Sequence, residues 1–171
     1  PCESRRRRRT VDAPLNMREV HRFVSDQVFA GPLVADVGAR LARRRLAPTG
    51  KNVAVIGAGG AARAVVYGCL QAAAEVTVFN RSVERGAALA EDLGARWGGS
   101  VEAFTAEAFD IVINATSVGF KQPDSNPLNG CLASHLIVMD VAFMPVQTAL
   151  LLQAKSLGCR TIAGTRMLVH Q

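Results

Sequence analysis

With 171 residues, 49% of them apolar, and a mean hydropathy of +0.17, the chain has the make-up of one globular domain rather than of a disordered or fibrous protein. No apolar run approaches the ~20 residues that span a bilayer, so no membrane partner is expected. The net charge of +6 is confined to the lead: the first 50 residues hold 11 arginines, no lysine and 5 acids, while the rest holds nine basic and nine acidic residues, so the body is not expected to bind nucleic acid.

Residues 1–13 read as a basic, disordered lead. The five consecutive arginines, Arg5 to Arg9, carry no interleaved aromatics and read as a solvated tail rather than a nucleic-acid arm. They fit a transit peptide or an interdomain linker, with no apolar signal core behind them, so the compartment is read as cytoplasmic or plastid. The chain begins with Pro1 and is read as a fragment or a processed product. Residues 14–49 carry two helical stretches, Met17 to Phe29 and Leu33 to Leu46, separated by Gly31-Pro32 and read as a remnant of, or linker from, a preceding domain. Pro48-Thr49-Gly50 is the expected hinge. Four scattered cysteines, Cys2, Cys69, Cys131 and Cys159, form no C-x-x-C, so neither a metal site nor a redox pair is expected.

From residue 50 to residue 171 the pattern alternates between strands and helices. The apolar run Val53–Ile56 reads as a buried parallel strand and leads into Gly57-Ala58-Gly59-Gly60 and a helix over about Ala61–Ala73. A strand Val76–Phe79, a helix Val83–Leu93 and a short strand or turn at Arg96-Trp97 follow. Beyond a weakly helical stretch near Val101–Ala108 come the strand Ile111–Asn114 and a Gly/Pro/Asn/Asp-rich loop, Gly119 to Gly130. The strand Leu136–Val141, a helix Val146–Leu157 closed by Gly158, a strand Arg160–Ala163 and the start of a helix at Met167 to Gln171 complete the chain. This alternation predicts an α/β, Rossmann-like, doubly wound and mostly parallel sheet, whose ligands sit beyond the carboxyl ends of the strands.

The residues after each strand are therefore the candidate site. Gly57, Gly59 and Ala62 satisfy G-x-G-x-x-G/A between a strand and a helix, which is a dinucleotide site: glycine allows the tight turn, and the helix N-terminus offers free N–H groups to a pyrophosphate. The second strand ends in Asn80-Arg81-Ser82, with Arg85 one turn on, where an NAD-binding domain carries an acid for the ribose hydroxyl. An amide, guanidinium and hydroxyl set suits a 2′-phosphate and points to NADP, although Ser82 also fits a helix N-cap. At the end of the third long strand, Asn114 either caps the following loop or faces a ligand.

Five blocks, GAGGAARA, NRS, NATSVG, DVAFMPVQT and AGTRMLVHQ, in this order over about residues 50 to 171, resemble the cofactor domain of the shikimate dehydrogenase family. The resemblance implies reversible hydride transfer between NADPH and 3-dehydroshikimate, giving shikimate, in aromatic amino-acid (chorismate) biosynthesis. It implies that Gly57, Ala58, Gly59, Gly60 and Ala61 cradle the pyrophosphate and that Asn80, Arg81 and Ser82, with Arg85, hold the 2′-phosphate. Ala115, Thr116 and Ser117 would line the ribose and pyrophosphate side, Gly164 and Met167 would flank the nicotinamide, and Gln171 would touch the substrate.

There are departures from the family pattern. Phe143 stands where the D-x-x-Y-x-P-x-x-T block has tyrosine, and Arg166 stands before the M-L pair where many members have glycine. The lysines are Lys51, Lys121 and Lys155, so the family's general acid/base lysine, which belongs to an N-terminal substrate domain, has no counterpart. The aspartate of the N-T-D-x-x-G segment aligns with Leu33-Val34-Ala35, and Asp36 becomes a candidate only with a one-residue shift. The expectation is the cofactor half of a larger enzyme, lacking its substrate domain and weakly active or inactive alone. The rival readings are a non-catalytic NADP-binding module and a fragment of a quinate/shikimate-type dehydrogenase.

Overall fold

A computed structural model describes residues 48–165. Strands β1 (Asn52–Ile56), β2 (Glu75–Phe79), β3 (Arg96–Gly99), β4 (Ile111–Asn114), β5 (Ile137–Asp140) and β6 (Arg160–Ala163) form one parallel sheet in the order β3-β2-β1-β4-β5-β6. Helices α1 (Gly60–Gln71) and α2 (Val83–Leu93) make the first two crossovers, and α3 (Ala149–Ser156) makes the last. This is the doubly wound arrangement expected from the alternation of strands and helices.

The pleat explains the layering. Along β1, Val53 and Val55 point to one face, where Ala62, Val66 and Cys69 of α1 and Leu89 and Ala90 of α2 cover them. Ala54 and Ile56 point to the other, against Leu150, Leu151 and Ala154 of α3 and the loop residues Leu128 and Leu136. Both faces are covered, which is why the strands read as continuous apolar runs rather than alternating ones. Phe79, Phe104 and Phe109 form an aromatic cluster on the α3 side, with ring centroids 5.6–5.8 Å apart.

Beyond shifts of one or two residues at β1, β2 and α1, four stretches depart from the sequence expectation. The weakly helical stretch at 101–108 is two 3-10 turns, Val101–Ala103 and Ala106–Ala108, because Phe104 is buried and Phe109 packs half-buried beside it, which pulls the chain off a continuous helical path. The strand at Arg96 extends through Gly99, with a register shift after Val78. The β5 ladder covers residues 137–140 only. Helix α3 starts at Ala149 rather than Val146, since the Thr148 hydroxyl receives the Leu151 N–H and fixes the start there. At its other end Gly158, at φ +82, closes the helix as expected, through Gly158 N–H to Lys155 O and Cys159 N–H to Ala154 O.

Candidate dinucleotide site at the carboxyl edge

The register aligns Phe79, Ile56, Asn114, Asp140 and Ala163 in one row across five strands. The next residue on each, Asn80, Gly57, Ala115, Val141 and Gly164, therefore lies along the carboxyl edge. Chain order reverses between β1 and β4, and a crevice opens at such a switch point.

Gly57 turns the chain there at φ +118, with its N–H on Phe79 O at 2.8 Å. A Cβ at Gly57 would stand 3.0 Å from both Ala115 O and Thr116 Cγ2, so the exits of β1 and β4 pack directly together. Gly59 and Gly60 differ: a Cβ on either meets nothing within 4 Å, and both are exposed. Space lies in front of them, at the start of α1. That start has neither a side-chain cap nor an acid in its first turn, whereas Ser82 caps α2 and Thr148 caps α3. Among the described helices, α1 is thus the one whose leading N–H groups and positive dipole end are left for something outside the protein.

At the end of β2, Asn80 Nδ2 donates to Ser82 O at 2.8 Å, which folds the turn. Ser82 Oγ receives the Arg85 N–H at 3.4 Å and donates to Glu84 Oε2 at 3.0 Å, so the N-cap reading holds. The Glu84 carboxyl is held below its ordinary range by its own backbone N–H and by the Ser82 hydroxyl. Arg81 and Arg85 are exposed, and neither guanidinium pairs with an acid among the described residues. Arg63 of α1, in contrast, is engaged by Asp92 at 2.8 Å.

The exit of β4 settles the role of Asn114. It is fully buried, and its Oδ1 receives Thr116 N–H at 3.0 Å and Thr116 Oγ1 at 2.7 Å. Its Nδ2 donates to Val118 O at 3.1 Å and to Asp140 Oδ1 at 2.9 Å. Asn114 therefore caps the loop rather than facing a ligand. The Thr116 hydroxyl is taken up in the same turn, accepting Val118 N–H at 3.1 Å, and its methyl faces Gly57. Ala115 is buried and Ser117 is exposed at the crevice rim.

Asp140, also fully buried, receives Ala142 N–H at 3.0 Å on Oδ1 and the Thr148 hydroxyl at 2.6 Å on Oδ2. Burial pushes its carboxyl above the usual range, against the lowering by these donors. Sequence reasoning quoted Asp140 and Thr148 only as part of a block and missed this network. Its signal, buried polar residues 26 and 8 positions apart, has no local period to reveal it. Gly164 is pressed on the same edge, since a Cβ there would sit 2.4 Å from Val141 O. In the loops that follow β4 and β5, Phe120 and Phe143 pack at 5.2 Å, with Lys121 N–H on Met144 O at 2.6 Å. Of the other expected site residues, Asp36, Met167 and Gln171 lie outside the described residues, as do Arg166 and Arg5 to Arg9.

The model of the family described as shikimate / quinate 5-dehydrogenase matches residues 40–144. The chain belongs to this family. Shikimate dehydrogenase (NADP(+)) of Ignicoccus hospitalis is 41% identical over 72% of this chain and 47% of its own length. The Thermus thermophilus shikimate 5-dehydrogenase, solved in complex with NADP(H) and shikimate, superposes with a TM-score of 0.70 at 31% identity, over 81% of this chain and 52% of that one. The ligand-free 5-ketofructose reductase of a Gluconobacter species gives 0.68 at 34% identity, over 82% and 54%. The chain thus spans about half the length of the relatives it matches. Among the described residues no helix is long and apolar enough to cross a membrane, and no group of three or more His, Cys, Asp or Glu could hold a metal ion.

Proposed function

We propose that this chain is the NADP-binding half of a shikimate dehydrogenase, reducing 3-dehydroshikimate reversibly to shikimate with a substrate domain not represented in residues 48–165. The observation that carries the reading is the uncapped, acid-free start of α1 behind Gly59 and Gly60, at the switch point of the sheet, in a chain of this family. The residues fit the dinucleotide. The N–H groups of Gly57 to Ala61 take the pyrophosphate, and the unpaired Arg81, with Asn80, Ser82 and Arg85, takes the 2′-phosphate. Ala115, Thr116 and Ser117 line the ribose and pyrophosphate side, and Gly164 and Met167 flank the nicotinamide.

When bound, the nicotinamide supplies the hydride. The chain's own part is to seat and orient the dinucleotide and to keep the carboxyl edge apolar with Phe120 and Phe143. Reduction of a ketone also needs a proton donor, worth ~10²–10⁴ in rate. Lys51 does not fill that role, being bound to Asp110 at the amino-terminal edge of the sheet, and Lys155 lies on α3 with Gln147. The donor is assigned to the substrate domain, so the chain alone is expected to bind NADP and turn over shikimate weakly or not at all, with Gln171 the one substrate contact proposed.

The test is calorimetric titration of the 171-residue chain with NADP+, with and without shikimate, alongside an assay of shikimate-dependent NADP+ reduction. Micromolar NADP+ binding that shikimate tightens, with little turnover, is expected. Absence of NADP+ binding contradicts the reading. Binding indifferent to shikimate favours a non-catalytic NADP module, and a response to quinate instead of shikimate favours the quinate branch of the family.

A further inference from the structure

The buried polar network at the carboxyl edge joins two segments whose margins also meet through Val141 N–H to Asn114 O at 2.9 Å and Lys121 N–H to Met144 O at 2.6 Å. On one side is the exit turn of β4, residues 115–118, which backs Gly57 and hence the glycine turn. On the other is the stretch from Val141 to Thr148, which carries Phe143, follows the end of β5 and begins α3. Asn114 serves the first and Thr148 the second. Neither bonds the other, and both bond Asp140. All three side chains have 0% exposure.

Every group around the Asp140 carboxylate is a donor: Asn114 Nδ2 and Ala142 N–H on Oδ1, Thr148 Oγ1 on Oδ2. Thr148 Oγ1 donates its one O–H to Asp140 while accepting Leu151 N–H, which orients the hydroxyl. Asn114 Nδ2 is turned toward Asp140 by the Thr116 donors on its Oδ1. The orientation of each partner is thus fixed from its far side, and the carboxylate fixes the near side. Such a fully satisfied network has one arrangement, and it transmits a change at one member to the others.

We propose that Asp140 is a positioning residue that sets the β4 exit turn and the 141–148 segment as one unit, so that the wall of the dinucleotide seat and the loop beside the nicotinamide end cannot shift independently. It touches neither ligand and acts through Asn114 on one side and through Thr148 and Ala142 N–H on the other. This rests on the reading above that the glycine turn takes a dinucleotide.

The experiment removes the Thr148 hydroxyl without changing side-chain volume (Thr148→Val) and follows the far segment. Hydrogen exchange of the Thr116 and Val118 amides is measured in the ligand-free chain, and NADP+ affinity is measured by calorimetry well below the melting temperature. Faster exchange at 116 and 118, beyond any change at the β1–β2 ladder amides such as Val78, is expected, together with about fivefold weaker NADP+ binding. Thr148→Ser should restore both. If Thr148→Val does not fold, Asp140→Asn is read in the same two ways. A variant that melts earlier but leaves the 116 and 118 amides and the affinity unchanged confines Thr148 to capping α3 and overturns the proposal. Should the wild-type chain bind no NADP+, the functional reading fails, while exchange measured without ligand still decides the role of Asp140.

Discussion

At the scale of single residues, the glycine turn contains two kinds of glycine, and they separate by substitution. Gly57 sits at φ +118 with Ala115 and Thr116 against its Cα, so Gly57→Ala must strain the backbone and push the β4 exit away. We expect a loss of about 2–4 kcal/mol of stability, read by denaturant unfolding, with NADP+ binding lost as well. Gly59 has ordinary φ and open space. Gly59→Ala should change stability by less than ~1 kcal/mol, while its methyl enters the space assigned to the pyrophosphate and weakens NADP+ binding at least tenfold.

The opposite case is Ala73. It closes α1 in the left-handed region at φ +58, with its N–H on Leu70 O and that of Ala74 on Cys69 O. A Cβ is strained there, and Ala73→Gly should raise stability by ~0.5–1 kcal/mol, visible as a higher melting temperature. The identity of these turn residues was legible in the sequence. Their division into a packed glycine and an open one was not, because only the neighbouring β4 exit distinguishes them.

At the scale of elements, α2, β4 and β6 fall where apolar runs and end signals place them, since a serine cap, a left-handed glycine after Leu93 and β-rich runs are local features. The start of α3 was misplaced by periodicity because Val146 fits an apolar helical stripe yet lies exposed in the loop, and the hydroxyl of Thr148 decides the boundary. Asn114 could be read two ways from position alone. What resolves it is Asp140, on a neighbouring strand, which no sequence window contains.

Element ends also carry the pH dependence. Asp110, just before β4, is held below the usual carboxylate range first by the Asn52 N–H, with Lys51 at 3.1 Å and His135 adding to it. Its folded pKa is depressed, so it stabilises the fold above ~pH 4 and that contribution is lost as pH falls through the folded value. Asp140 has the opposite sign: the folded form keeps its proton where the unfolded chain has lost it, so stability falls as pH rises above ~4 through that window. Melting curves from pH 3 to 6 should therefore show a steeper acid loss in the wild-type chain than in Asp110→Asn. Equal acid slopes would show that the Asn52 and Lys51 contacts to Asp110 do not persist in solution.

At the scale of the molecule, one sheet covered on both faces brings the ends of β1, β2, β4, β5 and β6 into a single row, so residues scattered from Gly57 to Gly164 become one edge. The fold class and the site's location follow from the alternation of strands and helices. The chain spans about half the length of the relatives it matches, and the proposed reading assigns the proton donor to the part it does not span. With the charge of the body balanced, the proposed reading rests the 2′-phosphate on two local cations, Arg81 and Arg85.

The most direct measurement is paired calorimetry of NADP+ and NAD+ on the wild-type chain and on Arg81→Ala. A charge-assisted contact to the 2′-phosphate is worth about 1.5–3 kcal/mol, so the wild type should prefer NADP+ by roughly tenfold to a hundredfold. Arg81→Ala should remove most of that preference while leaving NAD+ affinity unchanged. Equal affinity for the two nucleotides in the wild type, or no binding of either, would contradict the assignment of this edge to NADP.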